Sequence, residues 1–285
     1  MVKTEVVEYG VYGKALRIAN DVLEAFVTLD VGPRVIRLNL LGMENMFYNS
    51  GDMTGGVDVS EMYGKDEKWR TYGGHRTWIA PEARPETYYP DHDPVEYKLV
   101  DGGAEFYPPT QRVTGMTHTL TVRIEGNEVF LTNKLKNDSN ETKRRAIWGI
   151  TVTDVGGVAE VGLPTKDTGL LHNRRINLWP YTHLDDPRLT IENDRITVRQ
   201  DPNGNGALKI GVNDEEGRIV CRNKGQELTL SYTPRHGEGE YPDGNVSSEI
   251  YTNPRILEIE TLGLFHDIKP GDTVTHEEKY SLRRL

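Results

Sequence analysis

The segment GGHRTWIAPE, from Gly73 to Glu82, places four side chains of different chemistry close together. His75, Arg76 and Glu82 offer hydrogen-bond donors and acceptors, and Trp78 offers a flat apolar ring. A pyranose ring needs both, because its hydroxyls form hydrogen bonds and its C–H face packs on an aromatic side chain. This combination is typical of sites that bind carbohydrate.

A second candidate constellation lies near the C-terminus, where LEIETLG places Glu258 and Glu260 two residues apart. On a strand both side chains point to one face, with Cα atoms about 6.6 Å apart, while Leu257, Ile259 and Thr261 point to the other. Two nearby carboxyl groups suit general acid and base work. Glycosidases use pairs about 5 Å apart when retaining and about 6.5–9.5 Å apart when inverting, so this spacing alone does not select a reaction.

A turn-rich stretch, LWPYTHLDDPR, supplies two further aromatic residues, Trp179 and Tyr181. We interpret these rings as a stacking platform for a sugar. The alternative is that Trp179 belongs to the core and that Asp186 and Arg188 form a structural ion pair that ties down the loop.

Lys209 follows an apolar residue in the strand-like run LKIG. Lysine is seldom buried without a partner, so its ammonium either donates to a sugar hydroxyl or pairs with Glu249 or Glu260.

The elements that position these residues are predicted to be antiparallel strands. Short, roughly alternating runs rich in branched and aromatic residues, separated by Asp-Gly, Gly-Asn and Asn-Gly turns, indicate a meandering sheet. No uninterrupted amphipathic window of helical period occurs, so helix should be scarce. We predict an all-β fold, a large antiparallel sandwich with little helix, as one domain over residues 1–285. The predicted strands are 22–29, 35–41, 117–125, 129–135, 147–152, 227–233 and 256–262.

The stretch 49–93 is predicted to be a long irregular segment, which in a compact domain is usually functional or disordered. It carries Trp69, Tyr72, Trp78, Tyr88 and Tyr89, and disordered segments are poor in aromatic residues. We therefore expect an ordered loop that builds one wall of a pocket.

Charge and composition exclude several classes of partner. A formal net charge of -10 disfavours nucleic acid and anionic membrane surfaces, which reward clustered Lys and Arg. The single cysteine and the absence of an apolar signal region or membrane span predict a cytoplasmic protein. We find no metal-ligand spacing, phosphate-binding glycine loop or nucleophile motif, so we expect neither metal nor cofactor. Exposed sheet edges favour a homodimer.

Several motifs in order resemble the galactose mutarotase-like, or aldose 1-epimerase-like, superfamily, and within it a bacterial branch without a characterised member. The resemblance covers nearly the whole chain, from about Leu23 to Leu282. It implies a large antiparallel supersandwich whose sheet holds a carbohydrate. The motifs are TLDVGPRVIRLNLLGMENMFY, GGHRTWIAPE, the strand after NKLKNDSN, LWPYTHLDDPR, LKIG, YPDGN and LEIETLG with a trailing PGDTVTHEEKYSL.

The resemblance also implies a chemistry. In aldose 1-epimerases a carboxylate takes the proton of the anomeric hydroxyl while a histidine protonates the ring oxygen. Glu258 and Glu260 match the carboxylate, and His75 matches the earlier of the family's histidines. Trp148 stands where the principal acid histidine is expected, a departure from the family pattern. His236, on a glycine-rich loop, is the substitute acid that we predict.

The leading hypothesis is an aldose 1-epimerase-like enzyme that acts on a free hexose or related sugar, with a glutamate base and a histidine acid. In this hypothesis Trp148 adds to the stacking surface. One alternative is a carbohydrate-binding protein without catalysis. Another is a glycoside hydrolase or lyase built on the same fold.

Overall fold

Antiparallel strands make up half of the protein in the computed structural model, which describes residues 1–285, and helix makes up only 4%. In chain order the first strands are β1 (Lys3–Glu8), β2 (Lys14–Ala19), β3 (Leu23–Thr28), β4 (Val35–Leu40), β5 (Val57–Asp58), β6 (Lys68–Trp69), β7 (Gly74–Ala80), β8 (Glu96–Val100), β9 (Gly103–Tyr107), β10 (Met116–Glu125), β11 (Glu128–Asn137) and β12 (Lys143–Thr153). The remaining strands are β13 (Val158–Gly162), β14 (Ile176–Leu178), β15 (Leu189–Ile191), β16 (Arg195–Arg199), β17 (Leu208–Val212), β18 (Arg218–Asn223), β19 (Gln226–Tyr232), β20 (Ser248–Asn253), β21 (Ile256–Leu262), β22 (His266–Ile268) and β23 (Thr273–Arg284).

The strands form two large sheets. The first sheet has the order β1-β2-β3-β4-β7-β12-β21-β20-β17-β14, with β22 added beside β12. The second sheet has the order β15-β16-β13-β18-β19-β23-β11-β10-β9-β8. β5 and β6 form a separate two-stranded ribbon. Helix is limited to single turns at Gly10–Tyr12, Ser60–Tyr63 and Pro242–Asn245, so the predicted all-β antiparallel fold is confirmed.

The two sheets pack face to face over one large apolar core. Its members come from both sheets, for example Leu23 and Ile259 from the first and Leu120 and Leu230 from the second. We call the core-facing side of the first sheet its inner face. Because side chains alternate along a strand, every second residue of the first sheet points away from this core, onto what we call the cavity face.

All seven strands predicted from the sequence are present within a few residues of their expected bounds. The Glu125–Glu128 turn joins β10 and β11 as an antiparallel hairpin in which these two glutamates are partners. One prediction needs correction. GGHRTWIAPE is not irregular, because Gly74–Ala80 is a completely buried strand in the middle of the first sheet. Its pattern of consecutive buried residues reflects burial on both faces, which hides the alternation used to recognise strands.

None of the helices has the length and hydrophobicity that a membrane-spanning helix requires.

Candidate functional site

A cavity of about 770 Å³ lies on the cavity face of the first sheet, over its central strands. Strands β7, β12, β21 and β17 supply its floor. The stretch 49–93 supplies half of the residues that line it, as the aromatic content of that stretch predicted. The lining includes nine of the residues singled out from the sequence: Arg76, Trp78, Glu82, Trp148, Trp179, Tyr181, Lys209, Glu258 and Glu260.

Strand register explains why residues so distant in sequence meet here. Trp148 on β12 lies directly opposite Trp78 on β7. Along a second row, Ile150 on β12 is flanked by Arg76 on one side and Glu260 on the other. Residues opposite each other in an antiparallel pair point to the same face, so this register places the stacking rings and the charged groups on one surface.

All four tryptophans of the protein line this cavity. Trp78 stacks between Trp69 and Trp148, with ring centroids 5.9 and 5.3 Å apart, and Tyr88 packs edge-on against both Trp69 and Trp78. Trp179 closes the opposite side, where the Lys209 ammonium lies 4.8 Å from its ring centroid. The cavity therefore has a broad aromatic wall suited to the C–H face of a sugar.

Lys209 is almost fully buried and pairs with two carboxylates. Its Nζ lies 2.7 Å from Oε2 of Glu249 and 2.9 Å from Oε2 of Glu260. The Trp148 Nε1–H donates to the same Glu260 oxygen at 2.9 Å, which leaves Oε1 of Glu260 without a partner. Of the alternatives open for Lys209, the ion pair is present with both glutamates. Trp148 thus serves both as a stacking ring and as a hydrogen-bond donor to a buried carboxylate.

The two carboxyl groups nearest Lys209 differ in their contacts, because Glu260 also accepts a hydrogen bond from Trp148. Burial raises the pKa of Glu249 well above its ordinary value, with neighbouring acids adding to the effect of burial. The positive charge of Lys209 opposes this rise. Burial lowers the pKa of Lys209, but its two glutamate partners outweigh burial and raise it. One cation facing two buried carboxyls favours retention of a proton on Glu249.

Glu258 also lines the cavity but has no ion-pair partner. Burial, followed by the negative charge of Glu260, raises the pKa of Glu258 to about 8, with Arg76 and Lys209 opposing the shift. Its carboxyl is therefore largely protonated at neutral pH. The two glutamates that the sequence places on one face do share the cavity face, and their environments differ, because Glu260 is held by Lys209 and Trp148 and Glu258 has no ion-pair partner.

Arg76 reaches the cavity from β7 with only 6% of its surface exposed. Its guanidinium carbon lies 4.2 Å from the Trp78 ring centroid and 4.8 Å from that of Trp69. Its Nε has no hydrogen-bond partner. Burial, together with the positive charge of Arg34, lowers the pKa of Arg76 to about 10.

His75 lies outside the cavity, which corrects its assignment as a sugar ligand and catalytic histidine. It precedes Arg76 on β7 and so points to the inner face, where it is completely buried. Its Nδ1 is 3.1 Å from Thr151 Oγ1 and its Nε2 is 3.2 Å from Asn133 Oδ1. Burial lowers its pKa, and no ligand in the cavity can reach it from the other face of the strand.

His236 is likewise not among the cavity residues. Its Nε2 lies 3.0 Å from both the Asp214 carbonyl oxygen and Ser247 Oγ, so it ties its loop to the turn before β20.

Glu249 is fully buried behind Lys209 and supports the site without lining it. The ion pair proposed between Asp186 and Arg188 is present, and Trp179 lines the cavity beside it.

Several lining residues were not predicted individually as ligand contacts, among them Tyr48, Asp52, Trp69, Arg70, Tyr88 and Tyr251. A sequence signal existed for three of these. Trp69 and Tyr88 belong to the aromatic residues of the stretch 49–93, and Tyr251 follows Glu249 by two positions, so it shares its face. Nothing in their spacing distinguishes Tyr48, Asp52 or Arg70 from ordinary loop residues.

No protein family model matches the chain, and no curated protein matches its sequence. Solved structures do match its fold. One is a galactose mutarotase-like protein from Lactobacillus casei, with a TM-score of 0.62, 11% identity, and coverage of 94% of this chain and 100% of the other. Another is a galactose mutarotase-like protein from Clostridium acetobutylicum, with a TM-score of 0.55, 11% identity, and coverage of 100% and 99%.

A galactose mutarotase related enzyme from Lactobacillus acidophilus also matches, with a TM-score of 0.54, 10% identity, and coverage of 94% of this chain and 97% of the other. These low identities establish the architecture and not the activity. The resemblance found in the sequence motifs is confirmed at the level of the fold: the protein has the galactose mutarotase-like fold.

Proposed function

We propose that the protein is an aldose 1-epimerase-like enzyme that interconverts the anomers of a free sugar in this cavity. The single observation that carries the proposal is the pair Glu258 and Glu260 on the cavity face, where Glu260 is held by Lys209 and Trp148 and Glu258 has no ion-pair partner and a raised pKa. Pairs of titratable groups held in unlike environments are the usual mark of an acid and a base acting together.

In the reaction, Glu260 is the base. Its unpartnered Oε1 accepts the proton of the anomeric hydroxyl, while Lys209 and the Trp148 N–H hold Oε2 and keep the group ionised. Glu258 is the acid, in place of the histidine expected from the sequence, and its carboxyl protonates the ring oxygen. The bond between C1 and the ring oxygen breaks with its electron pair moving to that oxygen, and a free aldehyde forms.

Rotation of the aldehyde about the C1–C2 bond presents its other face to the returning ring hydroxyl. Glu258, now ionised, takes back the proton of that hydroxyl, and Glu260 returns its proton to the carbonyl oxygen as the ring closes. No net proton is consumed. The aromatic wall made by Trp78 and Trp148 holds the sugar skeleton while the ring is open.

Anomer exchange measured by polarimetry or NMR tests this proposal. With α-glucose and α-galactose, the protein should accelerate equilibration, and Glu260→Gln and Glu258→Gln should each reduce the acceleration about 10²–10⁴-fold. Glu128→Gln is a matched control, because Glu128 lies on the second sheet and pairs with Lys279 far from the cavity residues. Full activity in both cavity variants would refute the assigned roles.

A carbohydrate-binding protein without catalysis remains the competing proposal from another class. It is supported by the four cavity tryptophans, which suffice for recognition without any proton transfer. Quenching of intrinsic fluorescence by a sugar, without faster anomer exchange for any aldose in a broad panel, would favour it.

Glycosidic bond cleavage is a third proposal, supported by the cavity size. A volume of about 770 Å³ lies in the upper part of the range of ~300–1,000 Å³ typical of small-molecule pockets and offers room for more than one sugar ring. Release of new reducing ends from an oligosaccharide panel would support cleavage, and the absence of product across the panel would exclude it.

A further inference from the structure

Arg76 is the most buried of the three arginines that line the cavity, none of which forms an ion pair. It is more than nine-tenths buried, yet no carboxylate forms an ion pair with it and its Nε has no hydrogen-bond acceptor. Lys209, in contrast, pairs with two glutamates in the same cavity. Burying an unpaired guanidinium is costly, so such a group is retained when a ligand supplies the missing anion.

The surroundings of Arg76 restrict how an anion can reach it. Trp69 and Trp78 both lie within 5 Å of its guanidinium carbon, and their own centroids are 5.9 Å apart, so the two rings flank one side of the group and do not enclose it. The terminal N–H groups of a guanidinium form a planar fork. This is the arrangement that suits a bidentate pair with a planar, two-oxygen acceptor.

A second arginine, Arg34, adds positive charge beside Arg76. Val35 on β4 is the partner of His75 on β7, so the antiparallel register places Arg34 opposite Arg76. Arg34 differs from Arg76 in having an ion pair, because its Nη2 lies 2.8 Å from the carboxylate of Asp91, although its Nε and Nη1 have no hydrogen-bond partner. Like charges directly opposite each other on neighbouring strands are destabilising, and an anion bound to Arg76 would offset this repulsion.

The charge balance of the lining indicates how much negative charge the ligand carries. Four basic residues (Arg70, Arg76, Lys209 and Arg255) and four acidic residues (Asp52, Glu82, Glu258 and Glu260) line the cavity. When Glu258 holds a proton, the lining has an excess of one positive charge. A monoanion fits this balance, whereas a dianion such as a phosphate monoester would leave an uncompensated negative charge beside the remaining acids.

We propose that the natural ligand is a sugar acid, whose ring carries a carboxylate that forms a bidentate hydrogen-bonded pair with Arg76. This inference rests on the proposed function, since it names the class of sugar that the same cavity takes. A neutral sugar leaves the guanidinium buried and unpaired, and sites built around such a group discriminate strongly against ligands that lack its partner.

Titration of the intrinsic fluorescence tests the inference directly, because every tryptophan of the protein lines the cavity. The probes are glucuronate, galacturonate, the corresponding neutral aldoses and glucose 6-phosphate, all at one ionic strength. For the wild type we expect at least one of the two uronates to bind about 10-fold or more tightly than its neutral aldose. We expect glucose 6-phosphate to bind more weakly than that uronate.

Arg76→Gln should bring the ratio of uronate to aldose affinity close to one. Arg76→Lys, which keeps the charge and loses the planar fork, should give an intermediate ratio. Arg123→Gln, at an exposed arginine of the second sheet, is the matched control and should keep the wild-type ratio. If Arg76→Gln fails to fold, the ratio of uronate to aldose affinity in the wild type and in Arg76→Lys tests the proposal.

Equal affinity for uronates and neutral aldoses in the wild type would overturn the proposal, as would tightest binding of the phosphate ester. Failure of this inference is separable from failure of the proposed function. Faster anomer exchange of neutral aldoses without a preference for acids would overturn only the sugar-acid assignment. Tight uronate binding without any anomer exchange would support sugar acids as the ligand class and contradict the proposed epimerase activity.

Discussion

Both faces of the first sheet carry buried polar side chains, but the side chains of the two faces differ in their hydrogen bonding. His75 and Arg76 are consecutive on β7, yet one enters the core and the other enters the cavity. The same division separates Ile259 from Glu258 and Glu260 on β21. Burial alone therefore does not identify a functional residue in this fold.

On the inner face, the buried polar groups around His75 are satisfied by one another. Asn133 links His75 to Glu278, because its Oδ1 lies 3.2 Å from His75 Nε2 and its Nδ2 donates to Glu278 Oε2 at 2.7 Å. Thr261 Oγ1 donates to the other oxygen of Glu278 at 2.7 Å. Such a closed network joins the two sheets and needs no ligand.

On the cavity face, by contrast, buried polar atoms remain without partners. These include Nε of Arg76 and Oε1 of Glu260, both beside the cavity. Native proteins seldom leave such atoms unpaired, so we infer that the cavity face is arranged for a ligand at some expense of stability.

The largest effect is expected at the cavity ion cluster. Lys209→Met should lower the free energy of unfolding by about 3–5 kcal/mol, because it leaves two buried carboxyls without their cation. Urea denaturation at pH 7 measures the loss. Lys279→Met, which removes only a partly exposed pair with Glu128, should cost no more than about 1 kcal/mol. Equal losses in the two variants would show that the buried cluster contributes no more to stability than a partly exposed ion pair.

A smaller loss is expected on the inner face. Glu278→Ala removes one acceptor each from Asn133 and Thr261, and because both keep a contact with His276 the total cost should be about 1–3 kcal/mol. Sugar affinity, measured by tryptophan fluorescence, should stay at the wild-type value because Glu278 faces away from the cavity. Loss of binding in a variant that remains folded would contradict the division between the faces.

The pH dependence of stability distinguishes Glu258 from a surface glutamate. Its pKa is raised to about 8 in the folded protein, whereas it is about 4.3 in an unfolded chain. Between these values the folded state holds a proton that the unfolded state has lost, so the free energy of unfolding falls as the pH rises. Urea denaturation from pH 4.5 to 9 should show a shallower fall for Glu258→Gln than for the wild type.

Two results would count against this account of Glu258. Parallel stability profiles for Glu258→Gln and the wild type would contradict the raised pKa of Glu258. An anomer-exchange rate that does not decline as the pH rises past about 8 would contradict the role of Glu258 as the acid.

The smallest effect is expected for His236, the loop histidine that the sequence suggested as the acid. His236→Ala should cost about 0.5–1.5 kcal/mol through lost contacts with Ser247 and the Asp214 carbonyl. Anomer exchange should be unchanged, since His236 is outside the cavity. A drop in exchange by 100-fold or more would restore it as a catalytic candidate.

Much of this arrangement could be predicted from sequence, and the successes have a common cause. The runs around Glu258 and Glu260 alternate clearly, and alternation places both glutamates on one face whatever the rest of the fold. The aromatic content of the stretch 49–93 predicted its ordered position at the pocket. These inferences depend only on local geometry and composition.

The failures depend on contacts between distant segments. His75 and Arg76 are equally polar, and which of them faces the core follows from the strands that pack beside β7. The same holds for His236, whose partners lie 11 and 22 residues away. A resemblance to a family's histidine position could not reveal that the side chain points to the opposite face.

The all-β architecture and the shared face of Glu258 and Glu260 follow from the sequence alone, because strand periodicity and turn chemistry act over a few residues. The pairing of Lys209 with Glu260, the raised pKa of Glu258 and the unpartnered Nε of Arg76 follow only from the folded structure. Charge states and unpaired groups are set by distances and burial among strands far apart in the chain, and these exist only once the sheets have assembled.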